Sequence, residues 1–441
     1  MAPSPSQILL FFLSAAALML IIWTITAANL TSSPRKTNPP MRGIHINITH
    51  ADSARNLTQA ELVRRAAARG RYRISRLRSF NLSTHDDDGN GNNEYYMEIS
   101  IGSPPMTFTI AVDTGSDLFW THCFNRSGSA RPSFNPRRSS TYRALPCATS
   151  ACASSPATAC GDKKECAYEF MYADFSSTTG TVSLDTVTLG SAGSTNPLSF
   201  PDIMFGCSTS SNGSLLFTDG IAGFGRGKFS LISQLSINHF SYCLTPFGTS
   251  RLTLGDTRAR ARNTATVPLL FNPYYPSFYN VALTGISVGA TRLAGTENAF
   301  WIAGIDRPGV ILDSGSTLTY MERSVYGLLK RELVAQARLP VVDAARYDLD
   351  LCFRTTVKGA RAAFPKLVFH FDGGVDLEVK RKNYIMRFKK GGGEHCLAMV
   401  PTEEGGLTVL GSYFQRDFRV AYDLKKNLVS FTPARCAARG E

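Results

Sequence analysis

Two carboxylates sit in matching surroundings in the two halves of the chain. Asp113 ends the run Phe108 to Val112 and is followed by Thr114, Gly115 and Ser116; Asp313 ends the run Gly309 to Leu312 and is followed by Ser314, Gly315 and Ser316. In each, an apolar strand-like run stops at a carboxylate, then a hydroxyl residue, a glycine and another hydroxyl. A single such turn is ordinary punctuation. Two of them, one per half and each behind a buried-strand pattern, would bring one Asp from each half to a shared cleft. Carboxyl groups held about 3 Å apart cannot both ionise cheaply, so they share one proton. The ionised member then acts as general base on a water while the protonated member donates to a substrate carbonyl. This chemistry needs no metal, cofactor or covalent intermediate. Gly115 and Gly315 permit sharp turns whose backbone N–H groups favour the charged carboxylate. Thr114 and Ser314 are short enough to cross-link the two turns.

The elements that must position these turns are strands. Across 441 residues, 43% of them hydrophobic, β-branched and aromatic residues alternate with Gly, Ser, Thr and Pro clusters. Long helical periods are scarce, Arg323 to Ala337 being one of the few, so the pattern predicts a mainly antiparallel β protein. A second echo accompanies the first: Asp219 to Gly225 and Thr408 to Phe414 each carry apolar residues running into a glycine, at Gly223 and Gly411. Twin motifs in the same order indicate an internal duplication, with one motif pair per lobe.

The N-terminal part differs in composition. Residues 1–28 carry no charged side chain and include the apolar run Ile8 to Ala28, read as a secretory signal peptide with cleavage near Ala28, or as an anchor if retained. From Asn29 to Asp88 eleven Arg and Lys oppose five Asp and Glu, a balance of +6 out of the chain's +13. Gln59 to Arg78 reads as a basic helix, and residues 29–90 as a basic propeptide lying over an acidic cleft. Acid would protonate the carboxylates its arginines pair with, and so release it. The polar stretch Asp86 to Asn93 suits a processing boundary. A secretion signal and the lack of interleaved aromatics argue against nucleic-acid binding. The remaining +7 would aid solubility or attract anionic surfaces.

Across the two Asp motifs, the twin glycine strands and the C-terminal stretch Val429 to Cys436, the chain resembles pepsin-like aspartic proteases of the plant nepenthesin-type branch. The resemblance covers nearly the whole sequence. It implies a bilobal fold of two related six-stranded-type β lobes, here residues 91–268 and 269–441, with the active-site cleft between them. It also implies an aspartic endopeptidase cutting extended polypeptides at acidic pH, inhibited by its own propeptide and acting as a monomer. Tyr172 matches the tyrosine of the hairpin flap that closes over substrate, and Trp120 the tryptophan that hydrogen-bonds it. The flap departs from the family at Ala173 and Phe175, where glycines are usual, which predicts a stiffer tip and a bulkier cleft wall. Ala222 replaces a larger aliphatic residue.

Ten cysteines behind a secretion signal read as disulfides. The spacing of Cys147, Cys152, Cys160 and Cys166 matches no usual zinc pattern, so no metal is expected. By resemblance the pairs are Cys147–Cys166 nested around Cys152–Cys160, with Cys123–Cys207, Cys243–Cys436 and Cys352–Cys396. The branch usually carries twelve; the two absent ones belong near Cys123. Sequons at Asn125 and Asn212 lie in the mature region and fit a glycoprotein secreted to the apoplast, with the vacuole or a membrane anchor as alternatives. The rival to an enzyme is a catalytically weak or inactive binding or inhibitor protein on the same scaffold, against which both intact Asp motifs argue.

Overall fold

A computed structural model describes residues 43–51, 95–124, 132–172, 176–190, 197–213, 215, 218–245, 248–255, 263–273, 275–297, 299–300, 309–388 and 393–436. The apolar run 8–28, the basic segment 59–78, the flap tip 173–175 and Asn125 lie outside them.

The architecture is mainly β. One large sheet runs through both halves, and its continuity rests on the C-terminal strands Phe418–Asp423 and Leu428–Pro433. Phe418–Asp423 pairs antiparallel with His239–Cys243 from the first half, placing Phe240 opposite Tyr422. Their rings stack at 4.4 Å. Leu428–Pro433 in turn carries Ala265–Pro268 on its outer side. Three smaller sheets complete the second half. The helix predicted at Arg323 to Ala337 spans those residues and buries Val325, Tyr326, Leu329 and Leu333, the spacing of one apolar face.

The strand Ile44–His50 lies inside the large sheet, between Thr249–Leu254 and Tyr95–Ile101. Its sequence alternates, and Ile46, Ile48 and His50 are buried while His45, Asn47 and Thr49 are exposed. This part of the basic N-terminal segment is therefore built into the sheet, and its alternation rather than the surrounding charge decides its place.

Each half has its own apolar core, built from equivalent positions. Ala111, Leu118, Trp120 and Ile221 belong to one; Ile311, Leu318, Tyr320 and Val409 belong to the other.

All ten cysteines are in disulfides. Cys123–Cys207 and Cys352–Cys396 link neighbouring strands, and Cys243–Cys436 ties the C-terminal segment after Leu428–Pro433 to the strand His239–Cys243. The nested pairing Cys147–Cys166 around Cys152–Cys160 is corrected: the structure joins Cys147 to Cys160 and Cys152 to Cys166. Depth in the core accounts for the difference. Cys152 and Cys166 are both buried in the first-half core, whereas Cys160 is exposed and Cys147 half-buried.

Candidate active site

Each Asp turn is held by the same three-strand arrangement. In the first half Met106–Asp113 runs parallel to Gly220–Gly223, with Gly223 opposite Asp113, and Gly220–Gly223 is antiparallel to Trp120–His122. In the second, Val310–Leu312 runs parallel to Thr408–Leu410, and Thr408–Leu410 is antiparallel to Thr319–Met321. The chain after each Asp loops out and comes back over the glycine strand. That return leaves no room for a side chain. A Cβ at Gly223 would collide with the Asp117 backbone, and one at Gly411 with the Leu318 carbonyl. The twin glycines seen in the sequence are thus dictated by the close approach of two backbones.

Both carboxylates are buried. Asp113 Oδ1 accepts from the Gly115 N–H at 2.9 Å and Oδ2 from the Ser116 hydroxyl at 2.6 Å. Asp313 repeats the pattern, Oδ1 accepting from Gly315 N–H at 2.8 Å and Oδ2 from the Ser316 hydroxyl at 2.7 Å. Two donors to each carboxylate favour its charged form and fix its plane. The turns are locked to each other through Thr114 and Ser314. The Thr114 hydroxyl accepts from Ser314 N–H at 2.8 Å and donates to the Leu312 carbonyl at 3.3 Å. The Ser314 hydroxyl accepts from Thr114 N–H at 3.2 Å and donates to the Val112 carbonyl at 3.3 Å. Thr114, Gly115, Ser116, Ser314, Gly315 and Ser316 therefore each bond to Asp113, to Asp313 or to the opposite turn.

Beside this pair, the Trp120 indole N–H donates to the Tyr172 hydroxyl at 2.7 Å. Tyr172 closes the strand Cys166–Met171, and its N–H donates to the Ser176 carbonyl at 2.9 Å. Cys166–Met171 and Ser177–Leu189 form an antiparallel hairpin.

Sequence reasoning assigned no role to several groups that the fold brings here. Asp117 accepts from Gly227 N–H at 2.8 Å and from the Ser277 hydroxyl. Its counterpart in the second turn is Thr317, so the break in the echo was the available signal. Beneath the turns the Tyr242 hydroxyl donates to Gln415 and meets the Tyr422 hydroxyl at 2.9 Å, and Gln415 donates to the Leu410 carbonyl at 2.7 Å. Burial pushes both tyrosines well above their ordinary range, so they remain neutral hydroxyls under the dyad. These residues are far apart in sequence and carry no local pattern. Among the described residues no group of three or more His, Cys, Asp or Glu could hold a metal ion.

The chain is similar to known proteins over most of its length. Residues 95–256 match the family described as Xylanase inhibitor N-terminal, and residues 278–433 the one described as Xylanase inhibitor C-terminal. Aspartic proteinase nepenthesin-1 of Nepenthes gracilis is 35% identical over 98% of this chain and 99% of its own. Aspartyl protease 37 of Oryza sativa subsp. japonica is 32% identical over 97% of this chain and 100% of its own. Among solved structures, basic 7S globulin from soybean aligns with a TM-score of 0.65 at 16% identity, covering 90% of this chain and 99% of that one. At that identity the likeness speaks to the fold, a bilobal pepsin-like one. With the twin turns, the shared strand arrangement and relatives spanning its length, the chain belongs to the plant nepenthesin-type family of pepsin-like aspartic proteases.

Proposed function

We propose that this protein is an aspartic endopeptidase that hydrolyses polypeptides in acid. The observation that carries the reading is the symmetric set of donors on Asp113 and Asp313, together with the Thr114–Ser314 cross-link that holds the two turns in one unit. With one proton shared between the carboxyl groups, the ionised member removes a proton from water. The protonated member donates to the scissile carbonyl as the tetrahedral intermediate forms, and the proton then passes to the leaving nitrogen. Substrate lies extended under the Tyr172 hairpin, bound through its main chain. Segment 29–90 acts as an inhibitory propeptide released in acid, a release that withdraws the strand Ile44–His50 from between Thr249–Leu254 and Tyr95–Ile101, and the mature chain is a secreted, glycosylated monomer, with Asn212 exposed for modification.

The description of both matched families as xylanase inhibitors favours one other reading, a binding protein on the same scaffold. Hydrolysis of a denatured protein at roughly pH 3–5, abolished by Asp113→Asn and by pepstatin, supports the protease. No hydrolysis after verified removal of the N-terminal segment overturns it in favour of the binding protein.

A further inference from the structure

The first catalytic turn carries a third carboxyl group that the second turn lacks. Asp117 stands four residues after Asp113, where the echo has Thr317. Its environment is built around it on three sides. Gly227 N–H donates to Oδ1 at 2.8 Å, and the Ser277 hydroxyl donates to Oδ2. A Cβ at Gly225 or Gly227 would collide with the carboxylate itself, so two glycines give it its space. Ser277 comes from the segment that opens the second half, and its carbonyl accepts from Arg226 N–H at 3.0 Å. In the same seam the Tyr279 hydroxyl donates to the Phe224 carbonyl at 2.7 Å, and Arg226 donates to the Leu270 carbonyl and to Asn427. Asp117 therefore ties the first catalytic turn to the second half of the chain, beside the dyad.

We propose that Asp117 is a positioning residue of the active site whose charge, in addition to its hydrogen bonds, helps set the pH range over which Asp113 and Asp313 keep one proton between them. This deepens the protease reading and rests on it. Among the described residues, the titratable and charged groups on the elements packed against Asp117 are Asp113 on its own turn, Arg226 and the exposed Lys228 on the segment bearing Gly227, and Tyr279 beyond Ser277. Arg226 is engaged with Leu270 and Asn427, and burial keeps Tyr279 neutral. The Asp117 backbone lies against Gly223, which stands opposite Asp113 in the paired strands, so Asp113 is the carboxyl that shares its field. Burial pushes Asp117 above its ordinary value against the pull of Ser277 and Gly227, and Asp113 raises it further. Raised in this way, Asp117 takes up its charge at higher pH than an ordinary carboxyl, and that charge then opposes loss of the last proton from the neighbouring dyad.

Asp117→Asn keeps the shape and both hydrogen-bond partners but removes the charge; Asp117→Thr, copying the second turn, is the neutral alternative if Asn folds poorly. In the full chain after acid incubation, the alkaline limb of the kcat/KM profile should move to lower pH by about half a unit to one unit. Profiles that superimpose after scaling overturn the proposal and leave the protease intact. A second readout needs no activity. A carboxyl raised in the folded state makes the native protein lose stability as pH rises from its ordinary value through the raised one. The melting temperature of Asp117→Asn should therefore gain on that of the unsubstituted chain between pH 3 and 7, and gain less when both carry Asp113→Asn. Parallel melting curves overturn the coupling. Coupled melting without hydrolysis by any variant sinks the protease reading and keeps the coupling.

Discussion

Thr114 and Ser314, 200 residues apart, exchange backbone and side-chain hydrogen bonds, each hydroxyl accepting the other's N–H. Each hydroxyl also donates to the carbonyl of the residue just before the opposite Asp, Leu312 before Asp313 and Val112 before Asp113. The position of one carboxylate is thereby referred to the backbone that carries the other. Thr114→Val keeps the volume and removes the hydroxyl, leaving the buried Ser314 N–H without its acceptor. The expected loss is about 1–3 kcal/mol of stability, with turnover down roughly tenfold or more because the dyad is misaligned. Thr114→Ser should restore both. Calorimetry and turnover on the three proteins check this, and a Val variant as stable and active as the original refutes it.

The Trp120–Tyr172 bond makes a second prediction. Its 2.7 Å hydrogen bond joins a fully buried indole to the strand leading into the hairpin tip. Tyr172→Phe leaves the indole N–H unsatisfied, and Trp120→Phe removes that donor from the Tyr172 hydroxyl. Each single change should lower kcat/KM, and the double variant should lose less than the sum of the two, with a coupling of about 1 kcal/mol. Additive losses would show that Trp120 supports the site by packing alone.

The two short disulfides are tested by connectivity and by stability. Peptides cleaved between the cysteines without reduction should carry Cys147 with Cys160 and Cys152 with Cys166. Their loops span 13 and 14 residues, so chain entropy favours neither, at about 3 kcal/mol for each. The buried pair should nevertheless cost more to replace by serine, since polar hydroxyls would enter the first-half core beside Leu145 and Tyr168. Equal losses would mean that depth plays no part.

What could be read from the sequence divides along physical lines. Asp113, Asp313 and their hydroxyl and glycine neighbours were legible because the chemistry and the tight turns admit few other residues. Gly223 and Gly411 were legible for a steric reason, since a backbone occupies the place of their Cβ atoms. The helix Arg323–Ala337 was legible because its apolar spacing is local. Asp117 was passed over because its meaning is supplied by Ser277, 160 residues away. Tyr242 and Gln415 look like core residues until the fold brings their polar ends together under the dyad. Ile44–His50 shows a strand pattern, but a sequence cannot say which gap in a sheet such a strand fills. The cysteine cluster failed for the same reason, as four cysteines within 20 residues leave the partner to be chosen by burial.

Glu322 links stability to pH in the second half. It caps the helix Arg323–Ala337, accepting from Val325 N–H at 3.1 Å, from the Ser324 hydroxyl, and from Gly405 N–H at 2.9 Å. Its own N–H donates to Thr408, in the strand that leads to Gly411. Burial by itself would raise the carboxyl; the bonds from Ser324, Gly405 and Val325 outweigh it and lower the carboxyl below its ordinary 4.5. A carboxyl lowered in the folded state contributes stability that is present above the unfolded value and lost as pH falls through the folded one. Glu322→Gln keeps the shape without the charge. It should therefore be less stable than the original by about 1 kcal/mol at pH 6, and the gap should close as the pH is taken below the lowered value. Urea unfolding of both proteins at pH 6 and in stronger acid measures it. A gap that stays constant would assign the cap to hydrogen-bond geometry alone. A gap that closes would mean that acid weakens the junction where the Thr319–Met321 strand passes into the helix, one strand removed from the strand that carries Asp313.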